Sequence, residues 1–322
     1  MLVLGESDIE QAVDPEEIIN TVESAMILYE GDDFFMPPRN HIDYKDNTYL
    51  LMPAFTSDAF GSKLVSVFPG NVAKDQAVIQ GLMVLNDIET GEPLAVIDGA
   101  TLTAIRTGAV GAAGVKHLSK KDSITLGVIG AGVQGFQQAL FSSHVKKCTK
   151  LYLYDLDPDK SEQLAYQLNQ YRPNVHLEIC LTASHLVRNS EVIITATTSQ
   201  TPVIPDDPKV LEGRVFIGIG SYKPTIREFP DSLFPLIDRV FIDSLQAPEE
   251  AGDLIVPIQK GLVGKGSLIT IGKLIQDKSL LGTKPTKFYK SVGMALFDIC
   301  VAKVLYTKAL AKGLGFQVQM NG

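Results

Sequence analysis

Cysteine is scarce in this chain, and basic residues are in deficit. The three cysteines, Cys148, Cys180 and Cys300, are odd in number, widely spaced and without a CxxC or a histidine pair beside them. They read as reduced thiols rather than a disulfide framework, which points to the cytoplasm. A formal net charge of −8 argues against nucleic acid or an anionic membrane as a partner. An anionic substrate must therefore be met by a local cluster of cations. No run approaches the ~20 apolar residues that span a bilayer, and the amino terminus lacks a basic segment followed by an apolar core. The histidines (His41, His117, His144, His176, His185) have no metal-ligand spacing and HExxH is absent, so no dedicated metal site is expected.

What is present suits a compact α/β protein. At 322 residues the chain exceeds one ordinary hydrophobic core, so two domains are expected. Hydrophobic residues make up 45% and charged residues 20%, with no biased tract that would signal disorder.

The densest signal is Ser123-Ile124-Thr125-Leu126-Gly127-Val128-Ile129-Gly130-Ala131-Gly132-Val133-Gln134-Gly135. An apolar run ends in a glycine-spaced turn and a helix-like segment, the dinucleotide-binding pattern. Gly130 allows the tight turn, Gly132 lets backbone approach a pyrophosphate, and Gly135 permits close packing of helix on strand. Ala131, Val133 and Gln134 then border phosphates held by unpaired N–H groups at the helix start. A second apolar run, Lys150–Tyr154, ends in Asp155, about twenty residues on, where an acid meets the adenosine ribose. Such an acid repels a 2′-phosphate and no arginine follows at once, so NAD(H) is favoured, with NADP(H) second.

From Ile124 onward, strand-like runs alternate with helix-like ones. Strands are expected at Thr125–Ile129, Lys150–Tyr154, Val175–Ile179, Val192–Thr195, Val215–Ile219 and Arg239–Ile242. Between them lie helical segments Gln134–Lys146, Pro158–Tyr171, Ala183–Asn189 and one near Pro230–Pro235. This predicts a doubly wound parallel sheet of the Rossmann type. The first ~120 residues differ. A helix starting at Asp14-Pro15 and running over Ile18–Tyr29 precedes an antiparallel-looking sheet from Asn47–Pro53, Gly61–Phe68, Gly81–Asp87 and Pro93–Asp98. Ala100–Leu118 reads as a helix of small residues that allows close approach of another helix, and Lys284–Lys312 as one long apolar helix. The expected domains are an α+β domain over 1–118, with the last helix able to pack back on it, and a nucleotide domain over 119–293.

Three cations precede the nucleotide fold: Arg39 after Pro37-Pro38, Lys63 inside an apolar strand, and Arg106 among small helix residues. A buried cation needs a partner. An arginine fork suits a carboxylate, and a desolvated lysine exchanges protons near neutrality.

These pieces, with Asp98-Gly99-x-x-Leu102-Thr103-x-x-Arg106-Thr107, Thr195-Ala196-Thr197-Thr198 and Ser291-Val292-Gly293-Met294, resemble the ornithine cyclodeaminase/mu-crystallin family across nearly the whole chain. The resemblance implies a homodimer whose first domain, 1–118 rejoined by about 294–322, is the substrate-binding and dimerisation domain. It implies that Arg39, Lys63 and Arg106 surround a substrate carboxylate. It also implies that Thr107 lies near the cofactor phosphates, Thr195, Ala196, Thr197 and Gly220 along the cofactor, and Gly293 near the nicotinamide. Cyclodeaminases of the family carry an aspartate where this chain has Tyr222 in Gly220-Ser221-Tyr222-Lys223-Pro224. The segment is instead similar to the branch that reduces Δ1-pyrroline-2-carboxylate and other ketimines, and Tyr222 is a candidate substrate contact. Arg227 and Glu228 read as an ion pair at an edge or on the surface, and Asp298 as an orienting group. The readings are, in order, an NAD(P)H-dependent cyclic imino acid reductase, an ornithine cyclodeaminase, an alanine or N-substituted amino acid dehydrogenase, and a non-catalytic small-molecule binder.

Overall fold

The alternation that begins at Ile124 folds into one all-parallel sheet. Its strands are β8 (Ser123–Ile129), β9 (Lys147–Tyr154), β10 (His176–Ile179), β11 (Val192–Thr195), β12 (Val215–Gly218), β13 (Val240–Ile242), β14 (Leu268–Thr270) and β15 (Lys287–Lys290), counted after seven strands near the amino terminus. They lie in the order β10-β9-β8-β11-β12-β15-β13-β14. A computed structural model describes residues 1–74 and 76–319. The chain divides into two compact units, Met1–Arg106 with the segment from Met294 onward, and Thr107–Gly293. The division falls inside helix α3 (Gly99–Leu118), whereas the sequence reading drew its boundary after that helix. Positions 320–322 of the expected returning segment lie outside the described residues.

In the unit that begins at Met1, β1 (Leu2–Leu4) is followed by helices α1 (Glu6–Ala12) and α2 (Pro15–Leu28). Asp14 caps α2 by accepting the Glu16 amide, and Pro15 fills the first turn where no donor is missed. Strands β2 (Phe34–Phe35), β3 (Asn40–Tyr44), β4 (Asn47–Thr56), β5 (Phe60–Val67), β6 (Ile79–Asn86) and β7 (Pro93–Asp98) complete the sheet with the late strand Phe316–Gln317. All pairs are antiparallel except β1 with β7, and β1, β2, β3 and Phe316–Gln317 add to the four strands expected. Met52, Ala54, Lys63, Met83 and Leu85 lie on its buried face. The last helix, Ala295–Lys312, packs against α2 and β4–β6. Its Leu296, Phe297, Ile299 and Leu305 are buried, each contributing about 2 kcal/mol of apolar burial.

In the other unit α4 (Val133–Val145), α5 (Pro158–Tyr171) and α6 (Ala183–Asn189) link the first strands. The small residues of α3 do what their size suggested, since a Cβ on Gly108 would meet the Gln137 carbonyl of α4 at 2.9 Å. The core gathers Phe216, Phe229 and Phe288, with the rings of Phe229 and Phe288 4.7 Å apart. The expected helix over Lys284–Lys312 is corrected. Lys287–Lys290 is a central strand with Phe288 and Tyr289 fully buried, and helix begins only at Ala295, after Gly293 at φ +75°. A fully buried strand carries no alternation to distinguish it from helix. The helical segment near Pro230–Pro235 is a 3₁₀ turn, Asp231–Leu236, as the internal Pro235 dictates. Among the described residues no helix is long and apolar enough to cross a membrane.

Candidate functional site

Two constellations emerge, one in each unit. In the first, β5 places Lys63 on the buried face, α3 presents Thr103 and Arg106, and the last helix brings Asp298. Asp98 starts α3 by accepting the Thr101 amide at 2.7 Å, which sets the phase of that helix. Lys63 Nζ lies 2.8 Å from Asp298 Oδ2, and Arg106 Nε donates to Asp298 Oδ1 at 2.9 Å. Lys63 Nζ also donates to Thr103 Oγ1 at 3.2 Å. All three ionisable groups are buried, Asp298 completely. Burial lowers the Lys63 pKa from 10.5 to about 8; Asp298 resists this, while the Arg106 and Arg39 guanidiniums reinforce it. Arg39, half-buried between β2 and β3, thus acts on the same ammonium. The structure brings the three predicted cations within electrostatic reach and adds the carboxylate that organises two of them.

The second constellation is the glycine turn. Gly130 has φ +102°, a conformation that excludes other residues there, and a Cβ on Gly135 would stand 1.9 Å from the Gly130 carbonyl oxygen. Gly132 caps α4 without any side-chain hydrogen bond, and a Cβ on it would meet nothing within 4 Å. The helix start therefore offers uncapped amides at Val133 and Gln134 beside open space. Thr195 Oγ1 at the end of β11 is buried without a hydrogen-bond partner. A dinucleotide fits these features: an uncapped helix start for phosphates, room over Gly132, and an orphaned hydroxyl on the neighbouring strand, where Thr195 pairs with Ile129 just before the turn. Asp155 follows β9, and its Oδ2 accepts the Ala131 amide at 2.7 Å while Oδ1 accepts the Asp157 amide at 3.0 Å. Thr107 is buried on α3, its carbonyl accepting Gln138 Nε2 at 2.7 Å.

The remaining predicted residues sit at strand ends and turns of the same unit. Thr197 follows β11 and Gly220 follows β12. Their amides, with those of Ser221, are bound by Glu228. The ion pair expected for Arg227 and Glu228, at an edge or on the surface, is therefore corrected: Glu228 is completely buried, and Arg227 bonds Asp231 instead. Asp243 at the end of β13 accepts Ser291 Oγ at 2.6 Å, the Val292 amide at 2.9 Å and the Gly293 amide at 2.7 Å, which fixes the turn carrying Gly293. Tyr222 is half-buried, with the Lys223 ammonium 5.6 Å from its ring centre, and burial raises its phenol pKa. Sequence reasoning passed over Asp243, Asp253 and Lys290.

Burial pushes the thiols of Cys148 and Cys180 up to about 11 and of Cys300 to about 12, so all three are unreactive at neutral pH. Glu178, Cys180 and His185 bring ligand-type atoms within 4.8 Å of one another, a grouping that spacing did not reveal. Lys150 already pairs with Glu178 at 2.6 Å, and the Cys180 thiol stays protonated.

The model of the ornithine cyclodeaminase/mu-crystallin family matches residues 1–313. The chain belongs to that family. It is 32% identical to a Δ1-pyrroline-2-carboxylate reductase of Bacillus cereus, over 99% of this chain and 100% of the relative. Among solved structures it is similar to Δ1-pyrroline-2-carboxylate reductase of Thermococcus litoralis in complex with NADH and L-proline, with a TM-score of 0.91 and 30% identity, covering 99% of this chain and 100% of the other. An archaeal alanine dehydrogenase dimer with bound NAD superposes with a TM-score of 0.90 at 29% identity, covering 100% and 99%.

Proposed function

We propose that this protein reduces a cyclic imine bearing a carboxylate, Δ1-pyrroline-2-carboxylate or Δ1-piperideine-2-carboxylate, to proline or pipecolate at the expense of NADH. The observation that carries this reading is the buried trio of Lys63, Arg106 and Asp298, in which two cations share one carboxylate. The unbalanced positive charge suits a second carboxylate, that of the substrate, with Arg39 and Arg106 supplying planar forks. Reduced nicotinamide, when bound, supplies hydride to the imine carbon. The matching proton for the imine nitrogen comes from Lys63, whose pKa of about 8 makes it a competent acid near neutrality. Asp298 keeps that ammonium in place and partly charged, and Thr103 fixes its direction.

The uncapped turn at Gly130–Gln134 would hold the cofactor phosphates, and Asp155 beside it disfavours a 2′-phosphate, which supports NADH over NADPH. Tyr222, in place of the cyclodeaminase aspartate, offers no carboxylate for ring closure of a diamino acid. The names of the Bacillus cereus and Thermococcus litoralis relatives support the same reading.

A homodimer belongs to this reading. Ile42, Tyr44, Tyr49 and Leu82 are exposed on one face of β3, β4 and β6, an apolar surface that a second copy would cover. The free, protonated thiols support residence in the reducing cytoplasm.

The test is loss of nicotinamide absorbance with NADH and Δ1-pyrroline-2-carboxylate, run beside pyruvate with ammonium and beside ornithine with catalytic NAD+ assayed for ammonia. Consumption of NADH with the cyclic imine is the expected result. Ammonia from ornithine restores the cyclodeaminase, and faster consumption with pyruvate and ammonium makes the protein an alanine dehydrogenase.

A further inference from the structure

Three ionisable side chains, Glu228, Asp253 and Lys290, are sealed away from water in the unit that carries the glycine turn, and the reaction above uses none of them. Glu228 is 0% exposed yet fully engaged. Its Oε1 accepts the Thr197 amide at 2.7 Å and Thr197 Oγ1 at 2.9 Å, and its Oε2 accepts the Gly220 amide at 2.8 Å and the Ser221 amide at 3.1 Å. One carboxylate thus ties the turn after β11 to the turn after β12. Asp253 in turn holds the Glu228 backbone, accepting the amides of Glu228 at 2.7 Å and Phe229 at 3.0 Å. Lys290, the last residue of β15, places Nζ 3.7 Å from Asp253 Oδ2. Burial raises the pKa of both acids, and the Lys290 ammonium draws both back down.

The geometry has a direct consequence for the glycine turn. In a trans peptide the carbonyl points opposite to the N–H. With the Thr197 N–H aimed at Glu228, the Ala196 carbonyl is turned the other way, toward Gly130, where a Cβ would meet its oxygen at 2.6 Å. Gly220 lies equally close to Thr197, since a Cβ there would stand 2.0 Å from the Thr197 carbonyl oxygen. The carboxyl ends of the parallel strands are where a dinucleotide lies in such sheets. Glu228 therefore sets the orientation of peptides at the edge that the cofactor must meet.

We propose that Glu228, supported by Asp253 and Lys290, is a positioning residue for the nicotinamide cofactor: it holds the turns after β11 and β12 in the cofactor-ready arrangement. The proposal rests on the cofactor part of the function proposed above. It also predicts that the amides of Thr197, Gly220 and Ser221 do not donate to the cofactor, because they are already spent on Glu228.

The experiment is a fluorescence titration with NADH on the full chain, comparing wild type with Glu228→Gln, Thr197→Val and the double variant, with KM values for NADH and imino acid alongside. Glu228→Gln retains the size but turns an NH2 toward amides that need an acceptor. Its Kd and KM for NADH are expected to rise roughly tenfold or more, the effect of losing hydrogen bonds to a charged group, while the imino acid KM moves less than about threefold. Thr197→Val is the milder variant should Glu228→Gln not fold, and its Kd for NADH is expected to rise about threefold. That cost should vanish in the Glu228→Gln background if the hydroxyl acts through the carboxylate. Wild-type binding with unchanged Kd in either single variant overturns the positioning role alone, as does an additive double variant. Failure of the wild type to bind NADH removes the cofactor reading as well.

Discussion

The two units bury charge in opposite proportions. Around Asp298 two cations, Lys63 and Arg106, share one carboxylate, and no other acid is paired with them among the described ion pairs. Around Lys290 two carboxylates, Glu228 and Asp253, face one ammonium, and their excess negative charge is met by backbone amides of the same unit. An excess that the chain's own donors satisfy holds turns in place. An excess of cations with only one carboxylate acceptor between them among the described ion pairs calls for an anion from outside. This difference, rather than burial alone, separates the candidate substrate site from the scaffold of the cofactor site.

The largest effect should follow from removing the cation that gives up a proton. Lys63→Met is expected to lower turnover by ~10²–10⁴-fold while NADH binding, followed by fluorescence, stays close to wild type. Asp298 keeps Arg106 as its partner in that variant, so the fold survives. Turnover near the wild-type rate would remove Lys63 from the proton step.

The same lysine has a signature in pH. Its folded pKa of about 8 lies below the 10.5 of an unfolded lysine, so between those values the unfolded chain binds more protons than the folded one. Stability from this group therefore rises with pH through that window and is flat below it. Denaturation should show wild type gaining about 3 kcal/mol on Lys63→Met between pH 8 and 10.5. In the forward assay kcat/KM for the imine should fall above pH 8, as the donor loses its proton. A flat profile across that range would assign the proton to another group.

Gly220→Ala probes the other unit. The added methyl would meet Thr197 backbone at 2.0 and 2.5 Å, so the two turns must separate. The expected cost is about 1–3 kcal/mol in denaturation, with weaker NADH binding. The smallest effect is on cofactor choice: Asp155→Ser should narrow the preference for NADH over NADPH by about tenfold or less in kcat/KM. Because Asp155 also holds the Ala131 amide, some loss of NADH affinity should accompany it, and an untouched preference would show that the acid faces away from the ribose.

How legible these features were follows from local pattern. The glycine turn announces itself because its job is backbone geometry, which leaves a sequence mark at Gly130, Gly132 and Gly135. Lys63 was visible as a charge inside an apolar strand. Lys290 carries the same mark, but Lys287-Phe288-Tyr289-Lys290 was read as helix, and on a helix a lysine has an ordinary solvent face. Glu228 left no local mark, since its four donors come from turns at Thr197 and Gly220–Ser221, and only the sheet order β11-β12-β15 brings those together. The pairing of Asp298 with Lys63 and Arg106 likewise spans strand β5, helix α3 and the last helix, contacts that periodicity does not encode.

The most direct test of the central claim compares two substrates that differ only in the group the excess cations should receive. Reduction of Δ1-pyrroline-2-carboxylate and of Δ1-pyrroline, which lacks the carboxylate, is followed by NADH absorbance with the same preparation. The account predicts a kcat/KM at least roughly a hundredfold higher for the carboxylate, the scale set by one or two charge-assisted hydrogen bonds. Values within a few-fold of each other would mean that Arg39, Lys63 and Arg106 do not receive a substrate carboxylate, and would contradict it.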